Sequence, residues 1–414
     1  MSDRKLMRRL LAVAVCVFAL GLGTVASAQT WSELFPTGTP PAGRTYVASG
    51  NTYDEVNDRL IIFSGDDGSS VHPHAADVWV LINATGQAGV PAWVQLAPVG
   101  TGPIGRILHS TVYDPVSNRL IVHSGCVEHC GQILSDVWVL TNANGIGGPP
   151  AWIELPSAPL IRNGHTAVYD PGSNRMVIFG GGTPFDTNEV WVLTDANGIG
   201  SPVWQQLAPS GAPPPPRGAI ASAVYDPFTN RLIVVGGRSG AGGGTAFNDV
   251  WILSNANGLG GTPVWTQLAP SGLPPAPRGG HSLVYDRNAN RVIIFGGGTG
   301  DLNTYFNDVW VLTNANGTGG VPAWIQLTPI SGSPLPRYIF VAGYSAQSNR
   351  MAVTMGASLQ PDSPLLNDVW VLGLNQATVT ICHKPGTPAQ QTLVIPQQAL
   401  AGHLGHGDTV GPCQ

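Results

Sequence analysis

One pentapeptide, Asp-Val-Trp-Val-Leu with few departures, occurs six times in this 414-residue chain and constrains its fold more than any other feature. The copies run Asp77 to Leu81, Asp136 to Leu140, Glu189 to Leu193, Asp249 to Leu253, Asp308 to Leu312 and Asp368 to Leu372. Their tryptophans stand 59, 53, 60, 59 and 60 residues apart, a period too long for helical hairpin repeats. A second series, Trp31, Trp93, Trp152, Trp204, Trp265 and Trp324, opens a W-x-x-L segment in each unit. Together the two series use all twelve tryptophans.

Most units also carry an Arg, a Tyr-Asp pair, Asn-Arg and an apolar run into Gly-Gly, as in Arg278, Tyr285-Asp286, Asn290-Arg291 and Val292 to Gly297. These read as four short strands: a ends at Tyr-Asp, b runs into the glycines, c is the pentapeptide and d is W-x-x-L. Strands b and c are almost continuously apolar, as expected of sheets covered on both faces. Only 10% of residues are charged while Gly (54) and Pro (36) abound, which disfavours long solvated helices. The expectation is an all-β, six-bladed β-propeller over residues 29–374, each blade a four-stranded antiparallel sheet between its neighbours. The chain starts with a lone d strand at Trp31 to Leu34 and ends its last repeat with a c strand. The N-terminal strand should therefore close the sixth blade and remove a free edge. Each buried Trp stabilises by at most about 4–6 kcal/mol, so twelve of them predict a repeating aromatic core.

As a set, the Tyr-Asp, Gly-Gly and Trp positions resemble the Kelch motif over residues 31–372. Blade 1 departs with Ser64-Gly65, and blade 6 with Met355-Gly356 and Tyr344-Ser345. The resemblance implies a propeller closed by its N-terminal strand. Kelch-like propellers include a copper-radical oxidase and sugar epimerases, but the oxidase set of Tyr and His ligands with a Cys–Tyr cross-link is not visible here. Tyr53, Tyr113, Tyr169, Tyr225, Tyr285 and Tyr344 read as frame residues, and there is no nucleophile elbow, phosphate loop or HExxH. The expectation is a binding module for a carbohydrate or protein ligand. The alternatives are a glycan-acting or metal-dependent enzyme and a structural part of a cell envelope, since fold alone does not decide function.

Residues 1–28 place Arg4, Lys5, Arg8 and Arg9 before an apolar run ending at Ala26-Ser27-Ala28, the pattern of a cleaved bacterial signal peptide. The mature chain is expected to have no transmembrane segment, to be secreted or periplasmic or on the cell surface, and to be a monomer. Without the leader, 15 basic face 23 acidic side chains, a balance of −8 that excludes nucleic acid as a natural partner.

In such a propeller the a–b and c–d connections lie on one face, the b–c and d–a connections on the other. The a–b turns and the Asn-Ala-Asn-Gly c–d loops are near copies of one another, chosen for turn geometry. The b–c loops differ in length and chemistry. Blade 1 carries Asp66, Asp67, His72 and His74, and blade 2 carries Glu128 and His129. These six are the candidate ligand-binding residues. Such a mixture could also hold a divalent ion such as zinc or calcium, or act in acid/base chemistry; otherwise no cofactor is expected.

Twelve arginines are repeat fixtures: Arg44, Arg106, Arg162, Arg217, Arg278 and Arg337 before strand a, and Arg59, Arg119, Arg175, Arg231, Arg291 and Arg350 after its turn. They are expected to pair with Asp54, Asp114, Asp170, Asp226 and Asp286; the first series could instead ring the channel mouth. His109, His165 and His281 share one repeat position, a packing site or else a channel-facing trio. An even set of four cysteines predicts disulfides Cys126–Cys130 and Cys382–Cys413 in an exported chain.

Residues 375–414 read as a separate small module, with Cys382-His383 followed by His403-Leu-Gly-His406-Gly-Asp408 and Cys413. It resembles a short Cys-His…His-Leu-x-His-Gly-Asp…Cys module that ends various exported bacterial proteins. The Cys382–Cys413 link would stabilise it by about 3–4 kcal/mol through loop closure. The rival arrangement is zinc held by Cys382, His383, His403, His406 and Cys413.

Overall fold

The computed structural model describes residues 29–47, 50–69, 74–127, 130–182, 185–218, 222–240, 244–299, 301, 303–359, 365–374, 378–396 and 400–413. The expected leader and three candidate site residues, His72, Glu128 and His129, lie outside them. The chain divides into one compact unit spanning Ala28–Asn375 and a second that contains Gln376–Gln414.

Among the described residues, the larger unit is built on six four-stranded antiparallel sheets, with one two-stranded hairpin besides. Blade 2 illustrates them: Ser110–Asp114 (a), Arg119–His123 (b), Val137–Thr141 (c) and Trp152–Leu155 (d) pair in that order. Blade 6 takes its d strand from the other end of the chain. Thr30–Leu34 pairs antiparallel with Val369–Gly373, Trp31 opposite Leu372, so the ring is closed as the frame order requires. Trp31 is 3% exposed and lies against Phe295, with ring centroids 4.9 Å apart.

The glycine after strand b has a definite task. Gly65, Gly125, Gly181, Gly237, Gly297 and Gly356 each donate a backbone N–H to the carbonyl of the next blade's strand-a arginine, at 2.8–3.2 Å. Gly356 of blade 6 reaches Arg44 of blade 1, so the hydrogen bonds run round the ring. All six have φ between 84° and 112°, where a side chain is strained. The position before them is less demanding: Ser64, Ser124 and Met355 adopt φ of 55–68° there. The departures from Gly-Gly in the sequence therefore fall only at the first position.

The first arginine series does not ring the channel. Each arginine turns inward within its own blade and pairs with the acid that opens the pentapeptide: Arg44–Asp77, Arg106–Asp136, Arg162–Glu189, Arg217–Asp249, Arg278–Asp308 and Arg337–Asp368, at 2.5–2.9 Å. The same carboxylate accepts the indole N–H of the pentapeptide Trp at 2.6–3.1 Å. That is why Asp and Trp recur two residues apart. Burial alone would raise the carboxyls of Asp136 and Asp308, but Arg106 and Arg278 hold them below the ordinary range.

The aromatic core is smaller than the sequence suggested. Trp31, Trp79, Trp93, Trp251, Trp265, Trp310 and Trp324 are buried, whereas Trp138, Trp152, Trp191, Trp204 and Trp370 are half-buried.

The second arginine series also has other partners than expected. Arg59, Arg119, Arg175 and Arg231 donate to the backbone carbonyls of Asn144, Asn197, Asn257 and Asn316 in the following blade, at 2.6–3.0 Å. Within this series, among the described residues, only Arg291 ion-pairs with a Tyr-Asp carboxylate, that of Asp286. The other carboxylates are engaged elsewhere. Asp54, Asp114, Asp170 and Asp226 accept the side-chain amides of the same four asparagines at 2.7–2.9 Å, fastening each blade to the next.

In the second unit, Thr378–His383 lies between Gln391–Pro396 and Thr409–Val410, with a short helix at Leu400–Gly405. Cys382 is joined to Cys413, and in the propeller Cys126 to Cys130. Among the described residues no helix is long and apolar enough to cross a membrane.

Candidate functional site

Removing the frame residues leaves few distinctive side chains. Of nine tyrosines, six belong to the Tyr-Asp series; Tyr46, Tyr305 and Tyr338 do not. Of the cations after residue 28, only Arg238, Arg287 and Lys384 are not fixtures. The fold gathers the three tyrosines and Arg238 on the b–c side. Tyr305 and Tyr338 stack with centroids 5.2 Å apart, and Tyr46 packs into the same cluster beside Leu108 and Ile339.

Arg238 arrives there because strand b of blade 4, Arg231–Arg238, does not stop at its glycines. A bulge between Val235 and Gly237 lets it pair further, Arg238 opposite Ala246. Two small residues make room: a Cβ on Gly279 would lie 2.9 Å from Arg238 Cγ, and one on Gly280 only 2.3 Å from Tyr338 Cε2. Arg238 is 3% exposed, and its Nε and NH1 have no hydrogen-bond partner among the described residues. Burial raises the phenols of Tyr46, Tyr305 and Tyr338, and the field of Arg238 opposes this in all three. They remain neutral hydroxyl groups at neutral pH. Tyr46, Leu108 and Ile339 also hold left-handed backbone, φ 48–54°, a strained conformation for such residues.

Beside this cluster lies part of the loop that the sequence singles out. His74 is buried with Nδ1 3.9 Å from an oxygen of Asp66 and of Asp67, and Asp66 also raises the Tyr46 phenol. Asp66, Asp67 and His74 place donor atoms within 4.8 Å of one another, close enough to share a cation. The blade 2 loop is a small hairpin, Cys126–Val127 against Gln132–Ile133, closed by its disulfide.

His109, His165 and His281 are buried at their shared position, which Val47 and Phe340 take in blades 1 and 6. A Cβ on Gly125, Gly181 or Gly297 would meet their Cβ atoms at 2.7 Å. His281 alone of the three also lines the channel cavity. Burial first, then Arg106 and Arg278, pushes His109 and His281 down to about 3; burial and Arg162 do the same to His123.

At the opposite, a–b end of the channel a cavity of about 290 Å³ is walled by the six frame tyrosines and bordered by Glu55 and Arg287, 3.3 Å apart. The hydroxyls of five of these tyrosines already donate to Asn118, Asn174, Asn230, Asn290 and Asn349, and that of Tyr53 to Asp58.

In the C-terminal unit the sulfurs of Cys382 and Cys413 are bonded to each other and offer no thiolate, and His406 is exposed. His383 and His403 instead converge on Asp408, whose part in the cluster the sequence alone does not disclose.

The Kelch-repeats domain model of the KLHDC2/KLHL20/DRC7 group matches residues 152–260 and 255–403. Adagio-like protein 2 of Oryza sativa subsp. japonica is 36% identical over 227 residues, 53% of this chain and 32% of that protein. An F-box/kelch-repeat protein of Arabidopsis thaliana is 28% identical over 277 residues, 62% of this chain and 52% of that protein. The Rab9 effector protein with kelch motifs of Gallus gallus is 26% identical over 226 residues, 55% of this chain and 56% of that protein. The chain thus spans about a third to just over half of these relatives' lengths. The solved structure of YjhT superposes with a TM-score of 0.55 at 15% identity, covering 88% of this chain and 99% of that one, a likeness of fold.

Proposed function

This chain belongs to the Kelch-repeat domain family, and from that premise we propose that it is an exported binding module taking a protein or carbohydrate ligand on the b–c side of its propeller. One observation carries the reading: a buried Arg238, without a partner at Nε and NH1 among the described residues, set beside three tyrosines that the frame does not need. Taking two guanidinium nitrogens out of water without a partner is unfavourable, and an anionic ligand group would offset that cost. The planar fork suits a carboxylate or phosphate, and the phenol rings suit a sugar face or an apolar side chain beside it. The relative named as a Rab9 effector supports a protein ligand. The leader-like residues 1–28 and the paired cysteines support export.

A second reading is favoured by Asp66, Asp67 and His74: a divalent cation in that loop would make the same face metal-dependent, for binding or for acting on glycans. Both readings use one face and one experiment. Mature protein is screened on an array of neutral and acidic glycans and on a displayed peptide library, with and without Ca²⁺ or Zn²⁺. Arg238→Met should remove hits that depend on an anionic group, and the Asp66→Ala/His74→Ala variant those that depend on the ion. A Glu55→Ala/Arg287→Ala variant at the other channel end should keep both. Hits that survive Arg238→Met and Asp66→Ala/His74→Ala but vanish with Glu55→Ala/Arg287→Ala would overturn the choice of face.

A further inference from the structure

We propose that His383, His403 and Asp408 form a divalent transition-metal site in the C-terminal unit, with zinc the ion best matched to its donors. The local fold brings these residues together from three directions. His383 ends the strand Thr378–His383, next to the Cys382–Cys413 link. His403 lies in the last turn of Leu400–Gly405. After it the chain reverses through Gly407 at φ 91°: Gly407 donates to the carbonyl of Leu404 and Asp408 to that of His403, both at 3.1 Å. Thr409 and Val410 then pair with Cys382 and Ile381, which fixes Asp408 beside His383.

The donor atoms meet at one point. Asp408 Oδ2 is 2.9 Å from His383 Nδ1 and 2.7 Å from His403 Nδ1, while Oδ1 accepts the Lys384 N–H at 3.0 Å. The Asp408 side chain is 1% exposed, whereas the two imidazoles are a quarter to a third exposed, so one side of the cluster opens to water. Two imidazole nitrogens and one carboxylate oxygen, with a further position left to solvent, is a recurrent donor set for zinc and related ions. The Lys384 N–H orients the carboxylate from behind, the supporting contact that metal ligands require. Tetrahedral zinc with bonds of about 2.0–2.1 Å sets its ligand atoms roughly 3.3 Å apart, so small rotations of the two exposed rings would admit the ion. Each ring turns the same nitrogen, Nδ1, toward the same oxygen. A hydrogen-bonded clip would use the cluster with no ion at all, and binding measurements separate the two.

The experiment uses the full mature chain, oxidised and stripped with a chelator, titrated with Zn²⁺ in a calorimeter and with Co²⁺ in the visible spectrum. The expected result is one tightly held ion per chain at this site. His383→Ala and His403→Ala should each weaken it by about 100-fold, and Asp408→Asn by about 10- to 100-fold. Peptide mapping of the Cys382–Cys413 link verifies that each variant has folded. The Asp66→Ala/Asp67→Ala/His74→Ala variant, in the propeller, should keep the ion. No uptake by the wild type, uptake undiminished in His403→Ala with its disulfide intact, or uptake lost only in the loop variant would each overturn the proposal. The last of these results would move the ion to Asp66, Asp67 and His74 on the b–c face, whereas the Arg238 reading of that face is tested by the array screen alone, so the two readings fail separately.

Discussion

On the a–b side of the propeller, one hydrogen-bonded unit recurs: an Asn amide on the previous blade's Asp, and an Arg on that Asn's carbonyl. On the b–c side only the roots recur, the Arg–acid pairs and the glycine ring, and above them each loop differs. The difference separates two jobs. Residues that recur in every blade hold the ring; those that occur once are free of that duty, and Tyr46, Tyr305, Tyr338 and Arg238 are of this kind.

Acid should separate the two faces most. The buried histidines His109, His123 and His281 lie in the strand-a and strand-b roots of the b–c side. With folded pKa values of about 3 against about 6.5 unfolded, they are protonated first in the unfolded chain. Their contribution is complete above about pH 6.5 and is lost as pH falls toward 3, at about 2 kcal/mol each by pH 5. Denaturant midpoints should fall steeply between pH 7 and 5. His109→Phe, which gives blade 2 the side chain that blade 6 carries as Phe340, should flatten the slope by about one proton. An unaltered slope would show that these rings do not govern acid lability.

Two buried arginines give the next test. Arg217 is bonded to Asp249 through both terminal nitrogens and also to the Gly236 carbonyl, so Arg217→Ala leaves a carboxylate stranded and should cost about 3–5 kcal/mol. Arg238 has no such partner among the described residues, and Arg238→Met should be neutral or stabilising in urea unfolding while removing anion-dependent binding. Equal losses from the two would erase the distinction between frame and site.

The glycine ring sets a smaller effect. Gly297→Ala forces a side chain at φ 88° and into His281 Cβ at 2.7 Å, at a cost of about 2–3 kcal/mol. Ser124→Ala, one position earlier in another blade, loses only hydroxyl hydrogen bonds and should cost about 1 kcal/mol. Denaturant unfolding of the pair tests whether the second glycine, rather than the first, is the obligatory one.

Much of this architecture was legible because a repeat states its own frame: the blades and the closure by Trp31 follow from spacing, and the two disulfides from an even count of cysteines placed near one another or within one module. Side-chain partners were not legible. Sequence put the arginines on the Tyr-Asp carboxylates, because it cannot show that Asp114 is already taken by Asn197 from the next blade. The site was partly legible. Asp66, Asp67 and His74 stood out as polar loop residues, whereas Tyr46, Tyr305, Tyr338 and Arg238 looked ordinary one at a time. Their signal lay in subtraction, as the tyrosines and arginine left over once the repeat positions are removed. Asp408 was overshadowed by the cysteines and histidines around it.

The smallest effect lies at the seam between blades 6 and 1, where the uniform face breaks its own rule. Where the four uniform clasps have Asp, blade 6 has Ser345; where they have Asn, blade 1 has Thr85; and the neighbouring Asn is Asp58. The three changes fit one another. Asp58 accepts the Thr85 N–H at 2.9 Å and its hydroxyl at 2.8 Å, so Thr85 is held within its own blade, whereas Asn316 at the equivalent place reaches across to Asp226. The seam keeps its Arg contact, since Arg350 donates to the Thr85 carbonyl at 3.0 Å. Restoring the rule therefore needs all three substitutions. Ser345→Asp alone buries a charge near Asp58 and Glu55, and Thr85→Asn alone sets an amide oxygen against the Asp58 carboxylate, so each should lose about 1 kcal/mol. The Asp58→Asn/Thr85→Asn/Ser345→Asp variant should recover that loss and gain about 1 kcal/mol over the natural chain, a positive coupling read from denaturant midpoints in a mutant cycle. Additive losses would mean that the clasp works only in its native blades, and that the uniform face is less uniform in mechanism than in sequence.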